Sequence, residues 1–273
     1  MIADEHPLPS LSARLARWLA HFAFLLAVAA LVGHRFLGLE TPAFVVVGLL
    51  VPAIGLVAIG LAAIAIRRFW VDDVPGAGMS IWAIVLSASL FVPYGWAAVQ
   101  AWQMPMIHDL ATDTRDPPQL RQAVLERSGR FMNPIRAFAA PERALIDAAY
   151  PDIRGRRYDR ASQDVEAKVS ELLAERGWRR YPPASVPGDW PETTFEARAV
   201  TPLMGFPADV AIRVIDEGES TFVDMRSSAV YGRHDLGDNA RRIRRFLDEL
   251  DRLVNEIVLP AAPVEEEPAE GGE

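Results

Sequence analysis

Apolar side chains run almost unbroken through three stretches of the first hundred residues, 18–37, 43–66 and 79–101, and no fourth run follows. Crossing a hydrocarbon core of about 30 Å takes about 20 helical residues, so the pattern predicts three membrane helices in residues 1–103. The second stretch carries no charge. The third contains Pro93 and ends in Trp96 and Trp102, an aromatic edge suited to the lipid–water boundary. The first holds His21 inside it and His34-Arg35 at its far end. Arg14, Arg17 and the small residues Ala27, Ala29 and Ala30 also fit a secretory leader, but a leader seldom opens a multi-span chain.

Beyond residue 104 the period changes. The linker 104–118 carries Pro105, Pro117 and Pro118 among short polar residues, which keeps it extended or turned. Short helical pieces are predicted at 119–127 and 141–149. A longer helix is predicted at 161–176, where Val165, Val169, Leu172 and Leu173 share one face and Gly177 suits the left-handed position past the end. Strands are predicted at 178–181, 193–201, 208–215 and 221–229. The third alternates Ala208, Val210, Ile212 and Val214 against Asp209, Ala211, Arg213 and Ile215, the pattern of a half-buried strand. A last helix follows Asp235 or Asp238 as cap, with Ala240, Ile243, Phe246, Leu247, Leu250, Val254 and Ile257 as its apolar stripe. The fold class is therefore a multi-span α-helical membrane region followed by an α+β domain over 104–260. That domain is an antiparallel sheet of about four strands with two main helices on one face.

Charge refines the picture in two places. Residues 1–101 hold five Arg and five Asp or Glu, so the net charge of −8 lies beyond them. Five of those negative charges belong to Glu265, Glu266, Glu267, Glu270 and Glu273, in a Pro/Gly/Glu tail over 261–273 whose composition predicts disorder. The remaining domain is nearly neutral and predicts no nucleic-acid partner. Arg14, Arg17, Arg67 and Arg68 flank one membrane side and only Arg35 the other. The positive-inside rule then places the N-terminus in the cytoplasm and the C-terminal domain outside it, on a plasma membrane. Spans two and three lack ionisable residues, so the helices are read as an anchor in contact with membrane lipid rather than a transport path. The chain has no cysteine, which removes disulfides, thiol catalysis and cysteine metal sites together.

Several polar blocks stand out in order: Ile107-His108-Asp109, Thr112-Asp113-Thr114, Asp116-Pro117-Pro118, Ala149-Tyr150-Pro151-Asp152-Ile153, Gly205-Phe206 with Asp209-Val210, Val223-Asp224-Met225-Arg226-Ser227, and Gly232-Arg233-His234-Asp235-Leu236-Gly237 with Asn239-Ala240-Arg241-Arg242-Ile243. Over roughly 104–256 these blocks resemble the DUF1499 family, a domain of unknown function, and the multi-span N-terminus is similar to bacterial members. The chain departs from that pattern at Ala208, where a second Asp is expected, and at Ala229-Val230, where Ser-Arg is. The resemblance implies identity without a mechanism.

The candidate binding residues are His108, Asp109, Thr112, Asp113, Arg226, Ser227, His234, Asp235 and Asn239. The two His-Asp-Leu triplets, 108–110 and 234–236, offer imidazole and carboxylate, yet their spacing matches no compact metal motif. No metal or cofactor is predicted, and caps at Asp109 and Asp235 are the simpler reading. Arg226 is read as a cross-strand partner of a carboxylate such as Asp209 ahead of an anion hook. Arg241, Arg242, Arg244 and Arg245 have Asp238, Asp248 and Glu249 at helical spacing, which predicts a locally paired, solvated face. Ser227-Ser228 lacks a nucleophile elbow, and no phosphate loop exists. The expectation is a non-enzymatic envelope module that binds a small molecule, lipid or envelope protein through the Arg226 face. The alternative is a His/Asp-dependent, metal-assisted hydrolase. Because the 104–118 linker has few local partners for its backbone, it is also expected to pack near 231–239, with Asp109 or Asp113 at the last helix's N-terminus.

Overall fold

The computed structural model describes residues 8–183 and 192–256. The Ile257 end of the last apolar stripe and the acidic tail lie outside the described residues. Three helices long and apolar enough to cross a membrane come first: α1 (Leu11–Phe36), α2 (Thr41–Asp72), and a third span over Ala77–Gln103. The third divides into α3 (Ala77–Ser89) and α4 (Val92–Gln103). Pro93 lacks the N–H that would bond Ser89, and Leu90 and Phe91 tighten into i→i−3 bonds on Ser87 and Ala88 just before it. Inside α2, Pro52 similarly orphans the Gly48 carbonyl four residues back, and the Tyr94 hydroxyl donates to that oxygen across the bundle. The proline is tolerated because a neighbouring span supplies the missing donor. Lipid tails are as apolar as leucine, so the helices pack through small residues instead: Ala16, Ala20, Ala58, Ala62 and Ala83 are buried together.

The domain follows as β1 (Asp109–Ala111), α5 (Arg121–Glu126), α6 (Ala140–Ala149), β2 (Arg156–Tyr158), α7 (Ser162–Glu175), β3 (Arg179–Arg180), β4 (Glu192–Val200), β5 (Pro207–Asp216), β6 (Thr221–Ala229) and α8 (Asp238–Asn255). The sheet is antiparallel, in the order β1-β6-β5-β4-β3, with β2 also on β6. It thus has six strands rather than the four expected. The two added strands are three residues each and have no periodicity of their own; both exist because the free edge of β6 supplies partners, Asp109↔Ser228 through Ala111↔Arg226 and Arg156↔Val223 through Tyr158↔Thr221. Gly155, just before β2, marks how closely the chain passes: a Cβ there would meet the Phe222 ring and stand 2.9 Å from the Val223 carbonyl oxygen. Gly155→Ala is expected to destabilise the domain by about 1–3 kcal/mol, the usual cost of overpacking, read as a lowered unfolding temperature. An unchanged midpoint would show that β2 can shift freely.

One sheet face holds the core. Val210, Ile212, Val214, Val223 and Met225 pack against Val165, Val169, Leu172 and Leu173 of α7 and Ile243, Phe246, Leu247, Leu250 and Val254 of α8. The opposite face was expected to be solvated, with helices on one side only. Instead β5 and β6 are buried on both faces, and the segment 112–138 with α5 lies over the second. The alternation in β5 is real, but its polar face is covered by partners rather than by water.

The domain is also fastened to the helices. At the far end of α1, His34 Nδ1 donates to the Met204 carbonyl at 2.6 Å, while Nε2 is hydrogen-bonded with the Thr41 hydroxyl at 2.9 Å. Arg35 Nε donates to the Pro202 carbonyl at 3.2 Å. The His34 ring stacks on Phe44 at 4.4 Å and leans on Phe206 at 5.4 Å. These contacts grip the β4–β5 hairpin, and Gly205 is required there: its φ is +76°, and a Cβ would lie 3.1 Å from Arg35. A second tie joins His234 Nε2 to the carbonyls of Ala101 and Met104 at the end of α4.

Candidate functional site

The covered sheet face carries charges in register. Arg198 stands opposite Asp209 and Arg213 opposite Asp224, so the pairing of strands itself sets acid against base. The fully buried Asp209 carboxylate accepts from Arg127 Nε at 2.7 Å, Arg198 Nε at 2.8 Å and the Tyr181 hydroxyl at 2.9 Å. Arg127 spends its remaining donors on Asn133 O, Ser228 O and Ser228 Oγ. Asp224 is gripped by both arms of Arg213, which also reaches Asp116. Burial still raises the Asp224 carboxyl above its ordinary range, since desolvation outweighs the Arg213 cation. Glu196 accepts backbone N–H groups from Arg121, Gln122 and Ala123, capping α5 from β4; its carboxyl too is raised by burial.

Arg226 is the largest side chain that is fully buried. It forks onto Asp109 at 3.0 and 2.8 Å, donates to the Arg136 carbonyl at 2.7 Å, and lies 5.0 Å over the Phe138 ring. It is thus a paired cation, as expected, but its partner is Asp109 on β1 and not Asp209, which belongs to Arg127 and Arg198. Alternation places Asp209 on the correct face, yet the register sets it opposite Ser228.

On the helix side, Ser227 Oγ donates to Asn239 Oδ1 at 2.8 Å, and buried Arg242 donates to both oxygens and pairs with Asp238. Asn239 Nδ2 donates to the His108 carbonyl at 3.0 Å, and Asp235 N–H donates to the Ile107 carbonyl at 2.9 Å. The linker therefore packs beside the start of α8, as expected. The carboxylate at that helix end, however, is Asp235, which accepts from the Gly237 and Asn239 N–H groups; burial raises its carboxyl. Asp109 caps neither a turn nor this helix, and Asp113 caps its own turn at Arg115 and Asp116. The α8 arginines also depart from a solvated face: Arg242 is buried, and Arg244 pairs with Asp152 instead of Asp248. Thr112 exchanges hydrogen bonds with Met225 through its hydroxyl.

Of the nine candidates, eight have their polar side-chain groups engaged within the protein. His108 differs: among the described residues its ring makes no hydrogen bond. It lines a cavity of ≈ 50 Å³ with Met106, Ile107, Arg136, Phe138, Glu142 and Ile146. Arg136 and Glu142 form an ion pair at 2.5 Å on the rim, and Glu142 also accepts from Ala139 N–H at the start of α6. Burial pushes the His108 ring below its ordinary 6.5, against a smaller upward pull from Asp109 and Glu142. Arg136, Phe138 and Glu142 escaped sequence reasoning because each sits in irregular chain or on an exposed helix turn, where no period marks it. No group of three or more metal-ligating side chains occurs among the described residues.

The molecule is thus a three-helix, membrane-type N-terminus bearing an α+β domain whose sheet is covered on both sides. Residues 109–250 match the family described as "Protein of unknown function (DUF1499)", and the chain belongs to that family. Comparison with curated proteins finds no match. Among solved structures, the vertebrate conserved region of human METTL16 is similar over 34% of this chain and 74% of that one, at 17% identity and a TM-score of 0.27. A likeness that slight carries no argument.

Proposed function

We propose that this chain is a membrane-anchored binding module whose domain lies outside the cytoplasm and takes the polar head of an amphiphile into the cleft at His108. The observation that carries this reading is the His108 ring, which lines a cavity and makes no hydrogen bond among the described residues, while the other eight candidate residues are engaged within the protein. A cavity of ≈ 50 Å³ has room for only a few water-sized groups, at about 10–15 Å³ each. That excludes a whole drug-sized ligand in this conformation and favours a small head group. Met106 and Leu145 at the cavity mouth are exposed and offer an apolar bed for the remainder of such a molecule. Met106 lies three residues past Gln103, so the bed adjoins the membrane end of the third span. The orientation rests on the excess of Arg14, Arg17, Arg67 and Arg68 at the opposite end.

A neutral imidazole both donates and accepts, which suits a hydroxyl-bearing or anionic head beside Arg136. Nuclear magnetic resonance titration of the full chain in nanodiscs is expected to place the His108 ring below 6.5. Because the folded protein then binds fewer protons than the unfolded chain, stability falls as pH drops through and below 6.5. His108→Gln is expected to remove that dependence and to lose the amphiphile that co-purifies with the wild type, as read by mass spectrometry. Retention of the same molecules in the same amount by the variant would sink the reading. Turnover of simple esters abolished by His108→Gln would instead favour the hydrolase, although the cavity lining holds no Ser, Thr, Cys or Tyr nucleophile.

A further inference from the structure

The base of the domain, where the sheet meets the spans, gathers two bonded loops that carry exposed apolar side chains. The β4–β5 hairpin is held there by His34 and Arg35. A second loop lies at the same end of the sheet. Val230 N–H donates to the Pro207 carbonyl at the start of β5, Asn133 N–H donates to the Val230 carbonyl, and Met132 bridges to Tyr231. The loop 127–133 is therefore laid beside the first residue of β5 and the chain leaving β6, level with the hairpin.

Both loops hold an apolar side chain in the open. Leu203 at the hairpin tip is 69% exposed and Phe131 is 67% exposed, with Val200 partly uncovered beside the hairpin. The Arg130 guanidinium sits 5.8 Å over the Phe131 ring and has no carboxylate partner among the described residues. Where the third span ends, Trp102 is 89% exposed and Met106 59%. Single exposed apolar residues are ordinary on any surface. Here, however, three of the six large ones among the described residues of 107–256 share one end. Of the rest, Leu145 borders the His108 cleft, and Val124 and Leu125 lie on α5, which runs into the same loop.

We infer that the hairpin 201–206 and the loop 127–133 form a two-point footing that seats the domain on the lipid–water interface of the leaflet it faces. The occupant is lipid because the patch is continuous with the spans: the hairpin is bonded to the last turn of α1, so Leu203 cannot leave the level of Phe36 and Leu37 without breaking the His34 and Arg35 contacts. An aromatic ring with a cation over it, as at Phe131 and Arg130, matches the interfacial layer, where the ring meets acyl chains and the cation meets phosphate. The footing would fix the tilt of the domain and keep its base against the bilayer. This inference does not depend on any ligand at His108.

The absence of cysteine makes a direct test possible. Leu203→Cys, Phe131→Cys and, as a reference in the β5–β6 turn at the opposite end of the sheet, Glu219→Cys are each labelled with an environment-sensitive fluorophore in the full chain in nanodiscs. The probes at 203 and 131 are expected to emit at shorter wavelength than at 219. Both should also be quenched several times more strongly by nitroxide placed shallow in the lipid, and less by a water-soluble quencher. Equal lipid quenching at 131 and 219 overturns the two-point footing, even if 203 responds. Equal quenching at all three sites overturns membrane seating altogether.

Discussion

Asp209→Asn is expected to cost the domain about 3–5 kcal/mol, the range for breaking a buried ion pair by removing one partner. Domains are stable by only about 5–15 kcal/mol, so the variant should unfold at far lower denaturant or fail to accumulate. The cost falls unevenly on the partners. Arg198 is partly exposed and has Glu126 at 3.3 Å as a second carboxylate. Arg127 is buried, and its other acceptors are uncharged oxygens of Asn133, Ser228 and Ala229. Its cation would be left in a low-dielectric site without a counter-charge. Combining Asp209→Asn with Arg127→Met should therefore recover part of the loss, because the most costly orphan is removed with it. Denaturant unfolding of the full chain, followed by intrinsic tryptophan emission, reads both effects. A loss below about 1 kcal/mol, the range of exposed pairs, would show that water reaches Arg127 and that the layer is not sealed.

That layer also shows where sequence reading succeeds and where it stops. Periodicity located α7 through Val165, Val169, Leu172 and Leu173, and α8 through Ala240 to Val254, because burying one helical stripe leaves a local signature. The three long strands were equally legible. What covers the second sheet face was not, since the segment 112–138 is held by single long side chains reaching across the fold: Arg127 to Asp209, Arg213 to Asp116 and Arg226 to the Arg136 carbonyl. Such bonds have no period. A weaker signal was present, because Glu196, Arg198, Asp209, Arg213, Asp224 and Arg226 place charges of both signs on one face of three adjacent strands. A merely solvated face has no need for such complementarity.

For the candidate site, the same polar motifs that identified the family misdirected attention. Asp109, Thr112, Arg226, Ser227, His234, Asp235 and Asn239 are bound up in holding β1, the linker and α8 together. A buried polar group that is fully partnered specifies a fold. The half-buried His108 ring, which faces the cavity with no hydrogen bond among the described residues, differs from its neighbours in being open to a ligand. It was visible as a residue in the sequence, but its open ring depends on Arg136 to Ile146 closing a cavity around it, and this is a tertiary fact.

The second large effect is expected at Arg226. Arg226→Met should destabilise by about 3–5 kcal/mol, because it leaves Asp109 buried without a cation. It also frees the Arg136 carbonyl and removes the contact with Phe138. Asp109→Leu should cost a similar amount by stranding the guanidinium. The double variant should be less damaged than the sum of the two, since replacing both members of a buried pair with apolar groups of similar size is often close to neutral. Denaturant unfolding of all four proteins gives the coupling directly. Additive losses would mean that each residue acts through other partners and that the pair does not pin β1. The consequence for the cleft differs from that for stability. Asp109 is the residue after His108, and Arg226 joins it to Arg136 on the opposite wall, so the pair sets the spacing across the cavity. The folded double variant should regain stability without regaining that spacing. Its His108 ring is expected to titrate nearer to 6.5, as water enters and the burial that depresses it is relieved. A double variant that recovers stability while His108 still titrates as in the wild type would separate the cleft from the pair, and would assign its shape to α6 alone.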